Sequence, residues 1–209
     1  MTSAPEDSSQ PAGRAIGPDA RLLERSIELA RRNVELGGHP FGAVISEGTR
    51  IIAEGTNLVL ELKDPTAHAE IVAIRRACQE LGARELTGLT IFASAEPCPM
   101  CLSAIYWSQL SRVVFAATRH AASAAGFDDA FLYGELTRPL GERSLPTAHE
   151  PHPSELEPFD LWCSRTPSLQ DPGDPREPFE LTPSARSSPA LGRQNLKSHQ
   201  EEVDADRKR

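Results

Sequence analysis

Long apolar runs are missing from this 209-residue chain. No stretch approaches the ~18–20 apolar residues that a membrane-spanning helix needs, so no membrane partner is expected. The opening segment, Met1–Pro18, is polar and lacks the apolar centre of an export signal, which makes the cytoplasm the expected compartment. Positive charge is also in deficit: 22 Lys+Arg stand against 30 Asp+Glu, for a formal net charge of −8. Nucleic-acid affinity comes mainly from Lys and Arg neutralising phosphates, so a phosphate-backbone partner is not expected either. Aromatic residues make up only 5%. Cysteine is sparse, at positions 78, 98, 101 and 163, and nothing points to an oxidising compartment. Two cysteines three apart in a reducing cytosol are more often metal ligands or redox thiols than a disulfide.

Proline and serine divide the chain into three. Residues 1–18 and 166–209 are rich in both and poor in bulky apolar residues, and are expected to be a disordered N-terminal extension and a disordered tail. The folded unit is expected between them, at 19–165. Asp19 is a candidate N-cap for a helix to about Leu36, with Leu22, Leu23, Ile27, Ala30 and Val34 on one face and Gly37-Gly38 as its stop. Phe41–Ser46 and Ile51–Glu54, separated by Glu47-Gly48-Thr49, read as a β-hairpin. Pro65-Thr66 opens a predicted helix through Glu80, with Ile71, Ile74 and Cys78 on its inner face. Leu89–Ala93 and Val113–Ala117 read as buried strands around a helix at about Pro99–Ser108. Strands alternating with helices make this an α/β protein with a partly parallel sheet and helices on both faces.

Chemistry concentrates in His68-Ala69-Glu70 and Pro97-Cys98-Pro99-Met100-Cys101. Each motif falls at the predicted start of a helix, where unpaired N–H groups favour thiolates. Cys98 and Cys101, at i and i+3, share one helix face. Two thiolates and a neutral imidazole suit Zn²⁺ and balance its charge, and three protein ligands leave a tetrahedral position open for a water that becomes acidic. Glu70, two residues from His68, is placed to take a proton from that water and pass it to a substrate nitrogen. This combination is the general signature of zinc deaminases. Cys-x-x-Cys alone also fits a zinc knuckle or a redox pair, and the redox reading leaves His68 and Glu70 without a role. Cys78 reads as core, and Cys163 as an incidental thiol.

The segments His39–Ile45, Glu54–Asn57, Asp64–Ile71, Glu96–Leu102, Ala104–Trp107 and Gly126–Asp129 carry a resemblance. On them, Asp19 to about Arg165 resembles the cytidine-deaminase-like zinc superfamily, and the last two segments are similar to its bacterial guanine deaminase branch. The resemblance implies a three-layer α/β/α fold around a mixed five-stranded sheet and one zinc ion per chain. It also implies hydrolysis of the guanine 2-amino group, giving xanthine and ammonia. His68, Cys98 and Cys101 would hold zinc, and Glu70 would shuttle protons. Asn57 would hydrogen-bond the purine, as its amide both donates and accepts. The Ala69 N–H would meet an acceptor on the base, Asp129 would contact the ring edge or amine, and Phe41 and Trp107 would wall a flat pocket. A homodimer with exchanged C-terminal segments is implied too. Pro158–Trp162 corresponds to that segment, but the chain beyond it is proline-rich and has no tyrosine.

Plainer readings stand beside these. Asn57 could end a strand, Asp128 and Asp129 could cap a short helix, Phe41 and Trp107 could be core, and Glu96 could order a helix start or neighbouring loop. The same chemistry also serves guanosine, cytosine, a triazine or adenosine in transfer RNA. The last needs a basic rim, whereas residues 19–165 hold 14 basic and 20 acidic side chains. A zinc scaffold without catalysis would have no use for Glu70.

Overall fold

The computed structural model describes residues 17–165. The expected disorder of the N-terminal extension and tail therefore falls almost wholly outside the described residues. The chain divides into two compact units with the boundary between Ala148 and His149.

In the first unit, helix α1 spans Pro18–Glu35. Gly17, not Asp19, is its N-cap, because Pro18 takes the first helical position, where its fixed φ fits and its missing N–H costs nothing. Asp19 instead accepts from Arg112 Nη2 at 2.6 Å. The buried face is Leu22, Ser26, Ala30 and Asn33, while Ile27 and Val34 are nearly half exposed. Close packing explains the rotation away from the apolar stripe. Strand β1 (Gly42–Glu47) begins beneath the helix at Gly42, where a Cβ would collide with the Ser26 carbonyl and come within 2.7 Å of the Ala30 nitrogen. Only small residues fit over that approach, and Ser26 satisfies its hydroxyl on the Leu23 carbonyl at 2.7 Å.

The hairpin forms as expected, with β2 at Arg50–Thr56 and Gly48 in the left-handed region (φ 55°) at its turn. Strands β3 (Thr90–Ala95) and β4 (Arg112–Ala117) complete the order β2-β1-β3-β4. β1 is antiparallel to both neighbours and β3 is parallel to β4. Alternation divides the core: Val44 and Phe92 pack with Leu22 toward α1. Ala43, Ile45 and Ile91 pack with Ala69, Ala73, Ala77 and Ile105 on the other face. Those partners come from helices α3 (Ala69–Leu81) and α4 (Pro99–Trp107), reached after a short α2 (Val59–Leu62). The result is the expected α/β/α arrangement.

The sheet has four strands among the described residues, not five. After β4 the chain forms α5 (Arg119–Ala124) and α6 (Ala130–Thr137), and Pro139 and Pro146 then remove N–H donors that a further ladder would need. In the second unit, α7 spans Glu157–Arg165. Among the described residues no helix is long and apolar enough to cross a membrane.

Candidate active site

Two helix N-termini meet on one side of the sheet. The helix expected from Pro65-Thr66 begins later, at Ala69, because Asp64 Oδ1 captures the Thr66 N–H at 2.8 Å and its hydroxyl at 2.7 Å, folding 64–66 into a turn. His68 is thereby the N-cap residue of α3, with extended backbone (φ −66°, ψ 157°). Cys98 holds the same position on α4 (φ −64°, ψ 168°), with Pro99 at the first helical position. Gly55 on β2 brings α3 close, since a Cβ there would collide with the Ala69 carbonyl and lie 2.6 Å from the Ala73 nitrogen.

His68 Nδ1 lies 3.6 Å from Cys98 Sγ and 3.5 Å from Cys101 Sγ. With zinc–nitrogen bonds of about 2.0 Å and zinc–sulfur bonds of about 2.3 Å, a tetrahedral ion spaces its N and S ligands by about 3.5 Å. The two nitrogen–sulfur distances match that spacing, and the three ligand atoms all lie within 4.8 Å of one another, so the cluster suits a zinc ion. Cys98 is lowered to about 4, first by a hydrogen bond with Cys101 and then by His68. That bond and burial push Cys101 up, so in isolation the pair carries its charge on Cys98. His68 is raised, chiefly by its bond to Cys98.

A cavity of about 310 Å³ opens onto this cluster. Glu70 lines it and is only 7% exposed. Burial raises its carboxyl above the ordinary carboxylate range, with the Cys98 charge adding to the effect. Asn57, also buried, lines the same cavity, and its Oδ1 accepts from the Val59 N–H at 3.2 Å. Ala69 is fully buried in the first turn of α3, where N–H groups lack intrahelical acceptors. Asp129 lines the cavity from the start of α6, and burial, then the Cys98 charge, raises its carboxyl. Phe41 forms part of the wall. Trp107 does not line this cavity: it ends α4 at 84% exposure.

Phe127, which sequence reasoning passed over, forms a wall beside Phe41. It meets the Phe41 ring edge-to-face at 5.0 Å and the His39 ring at 5.3 Å. Its signals in the sequence were its place in the Gly126–Asp129 segment and its position two residues before Asp129. Arg119 also lines the cavity, with its guanidinium 4.8 Å from the Tyr133 ring centroid. The Arg119 main-chain N–H donates to Glu96 Oε2 at 3.0 Å, so Glu96 orders the start of α5.

An ion site of two thiolates and one imidazole, opening on a cavity that holds a buried glutamate, defines a zinc-dependent deaminase, a hydrolase of C–N bonds. Residues 17–117 match the family model of the cytidine and deoxycytidylate deaminase zinc-binding region. The chain is 48% identical over 142 residues to the guanine deaminase of Bacillus subtilis, covering 68% of this chain and 91% of that one. A crystal structure of the Bacillus subtilis guanine deaminase superposes with a TM-score of 0.68 at 47% identity, covering 69% of this chain and 92% of the other. A tRNA-specific adenosine deaminase from Haemophilus influenzae is 39% identical over 117 residues, covering 53% of this chain and 68% of that one. The chain belongs to the guanine deaminase family within these zinc-dependent deaminases.

Proposed function

We propose that this protein hydrolyses guanine, breaking the C2–N bond to release ammonia and forming a C2–O bond to leave xanthine. The observation that carries this reading is Glu70, buried in the cavity that opens onto the His68–Cys98–Cys101 cluster, its carboxyl raised by that burial. His68, Cys98 and Cys101 would hold zinc, which would supply Lewis acidity that lowers the pKa of a water toward neutrality. Glu70 then accepts a proton from the attacking water and delivers it to the departing nitrogen, a transfer suited to a carboxyl whose pKa is raised. Asn57 reads the purine edge, and the Ala69 N–H meets an acceptor on the base. Asp129 contacts the amine, and Phe41 with Phe127 holds the flat ring. Trp107, given to this wall by the resemblance, lies outside the lining of the cavity.

The same reading includes a cytoplasmic homodimer with exchanged C-terminal segments. Support comes from the exposure of Leu156, Phe159, Leu161 and Trp162 in and next to α7, each more than half exposed. The test is a panel of guanine, guanosine, cytosine and adenosine with ammonia release as readout and Glu70→Ala as control. Guanine alone should exceed the control. Ammonia from another member of the panel, with none from guanine, overturns the choice of substrate.

A further inference from the structure

The buried face of α1 carries a polar group that this chemistry leaves unused. Asn33, in the last turn of α1, is 8% exposed. Its Nδ2 donates to the main-chain carbonyl of His39 at 2.8 Å and to that of Asn57 at 2.9 Å. His39 and Asn57 lie on separate segments that both line the cavity. The Asn57 N–H closes the ring by donating to the Phe41 carbonyl at 3.1 Å. Gly38 makes room for the clamp, since a Cβ there would collide with the Asn33 amide nitrogen and come within 2.8 Å of its Cγ. A leucine of similar size would fill the same space, so helix packing alone does not call for a doubly donating amide. What the amide adds is a fixed spacing, because its two N–H bonds diverge from one planar nitrogen.

We propose that Asn33 is a positioning residue for substrate binding: by holding both carbonyls it sets the distance between the His39–Phe41 wall and Asn57, and so the width of the slot that receives the base. The inference rests on the assignment of Asn57 to the purine edge. The zinc cluster and Glu70 sit at the starts of α3 and α4, Gly55 seats α3 against β2, and Asn33 bonds neither helix, so loss of the clamp widens the slot and leaves the chemistry intact.

Two variants test this. Asn33→Leu keeps the volume and removes the donors, and Gly38→Ala keeps the donors and crowds them. Each should bind zinc, raise KM for guanine about 10-fold and leave kcat within about two-fold of wild type. In an Asn57→Ala background neither should raise KM further, because the residue being positioned is gone. Unchanged KM in zinc-loaded variants overturns the proposal, as does a full additional rise in the Asn57→Ala background or loss of zinc from both variants, each of which marks a general folding role. If Asn33→Leu does not fold, Gly38→Ala decides. Should wild type act on another base of the panel instead, the substrate reading fails separately and the same KM comparison is made with that base.

Discussion

Asp128 accepts the Ala130 N–H at 3.0 Å, whereas Asp129 beside it makes no such bond with the helix start, and both carboxylates line the cavity. On the proposed function the chemical task falls to Asp129, and the hydrogen bond gives Asp128 a structural one. Asp128→Ala should cost about 1 kcal/mol of stability through the lost hydrogen bond while kcat stays near wild type. Asp129→Asn should do the reverse, lowering kcat/KM with the fold intact. Thermal melts and steady-state kinetics on both variants check the division.

Asp129 also gives a pH dependence. Its carboxyl is raised from 3.8, first by burial, so the folded state holds this proton to higher pH than the unfolded chain does. The resulting penalty is absent below the unfolded pKa, grows as pH rises through the folded value and then levels off. Asp129→Asn should therefore melt above wild type at neutral pH, with the difference shrinking on acidification toward about pH 4. A difference that grows on acidification would show that the carboxylate stabilises the fold instead.

Glu70→Gln keeps the shape of a buried side chain and removes its ability to exchange a proton. Zinc content should match wild type, and kcat should fall by about 10²–10⁴-fold. Metal analysis beside turnover separates this outcome from Cys98→Ala, in which zinc and activity are lost together. Chelation of the wild-type metal should abolish turnover, and added zinc should restore it.

Gly55 seats the helix that carries His68 and Glu70 against β2. A methyl group there meets main-chain atoms that cannot rotate aside, so Gly55→Ala should destabilise the protein by about 1–3 kcal/mol and weaken zinc retention. Gly48→Ala, in the open hairpin turn, should leave zinc retention unchanged, which makes it the control for a general loss of stability.

Local patterns made the zinc centre legible in the sequence. Cys98 and Cys101 are three apart, and His68 and Glu70 two apart, so each pair needs only one helix start to be read correctly. The strands were legible for a similar reason: they are short apolar runs bounded by turns. The features that escaped reading depend on contacts between distant segments. The inner face of α1 was misplaced because Ser26 and Asn33 are polar, and their burial comes from Gly42 and from the carbonyls of His39 and Asn57. Phe127 owes its place to two rings more than 80 residues earlier. Trp107 was assigned to the pocket wall by the resemblance, and its own sequence context carries no signal for its place at the exposed end of α4, 84% exposed.

The central claim is that Glu70 and the zinc cluster together hydrolyse guanine at C2. Its most direct measurement is the turnover of guanine by zinc-loaded protein in heavy-oxygen water, with product mass and ammonia followed together. The account requires xanthine carrying the solvent oxygen at C2, equimolar ammonia, and neither product from zinc-loaded Glu70→Gln above background. Zinc-loaded wild type that leaves guanine intact, or a Glu70→Gln variant that forms labelled xanthine at the wild-type rate, would contradict it.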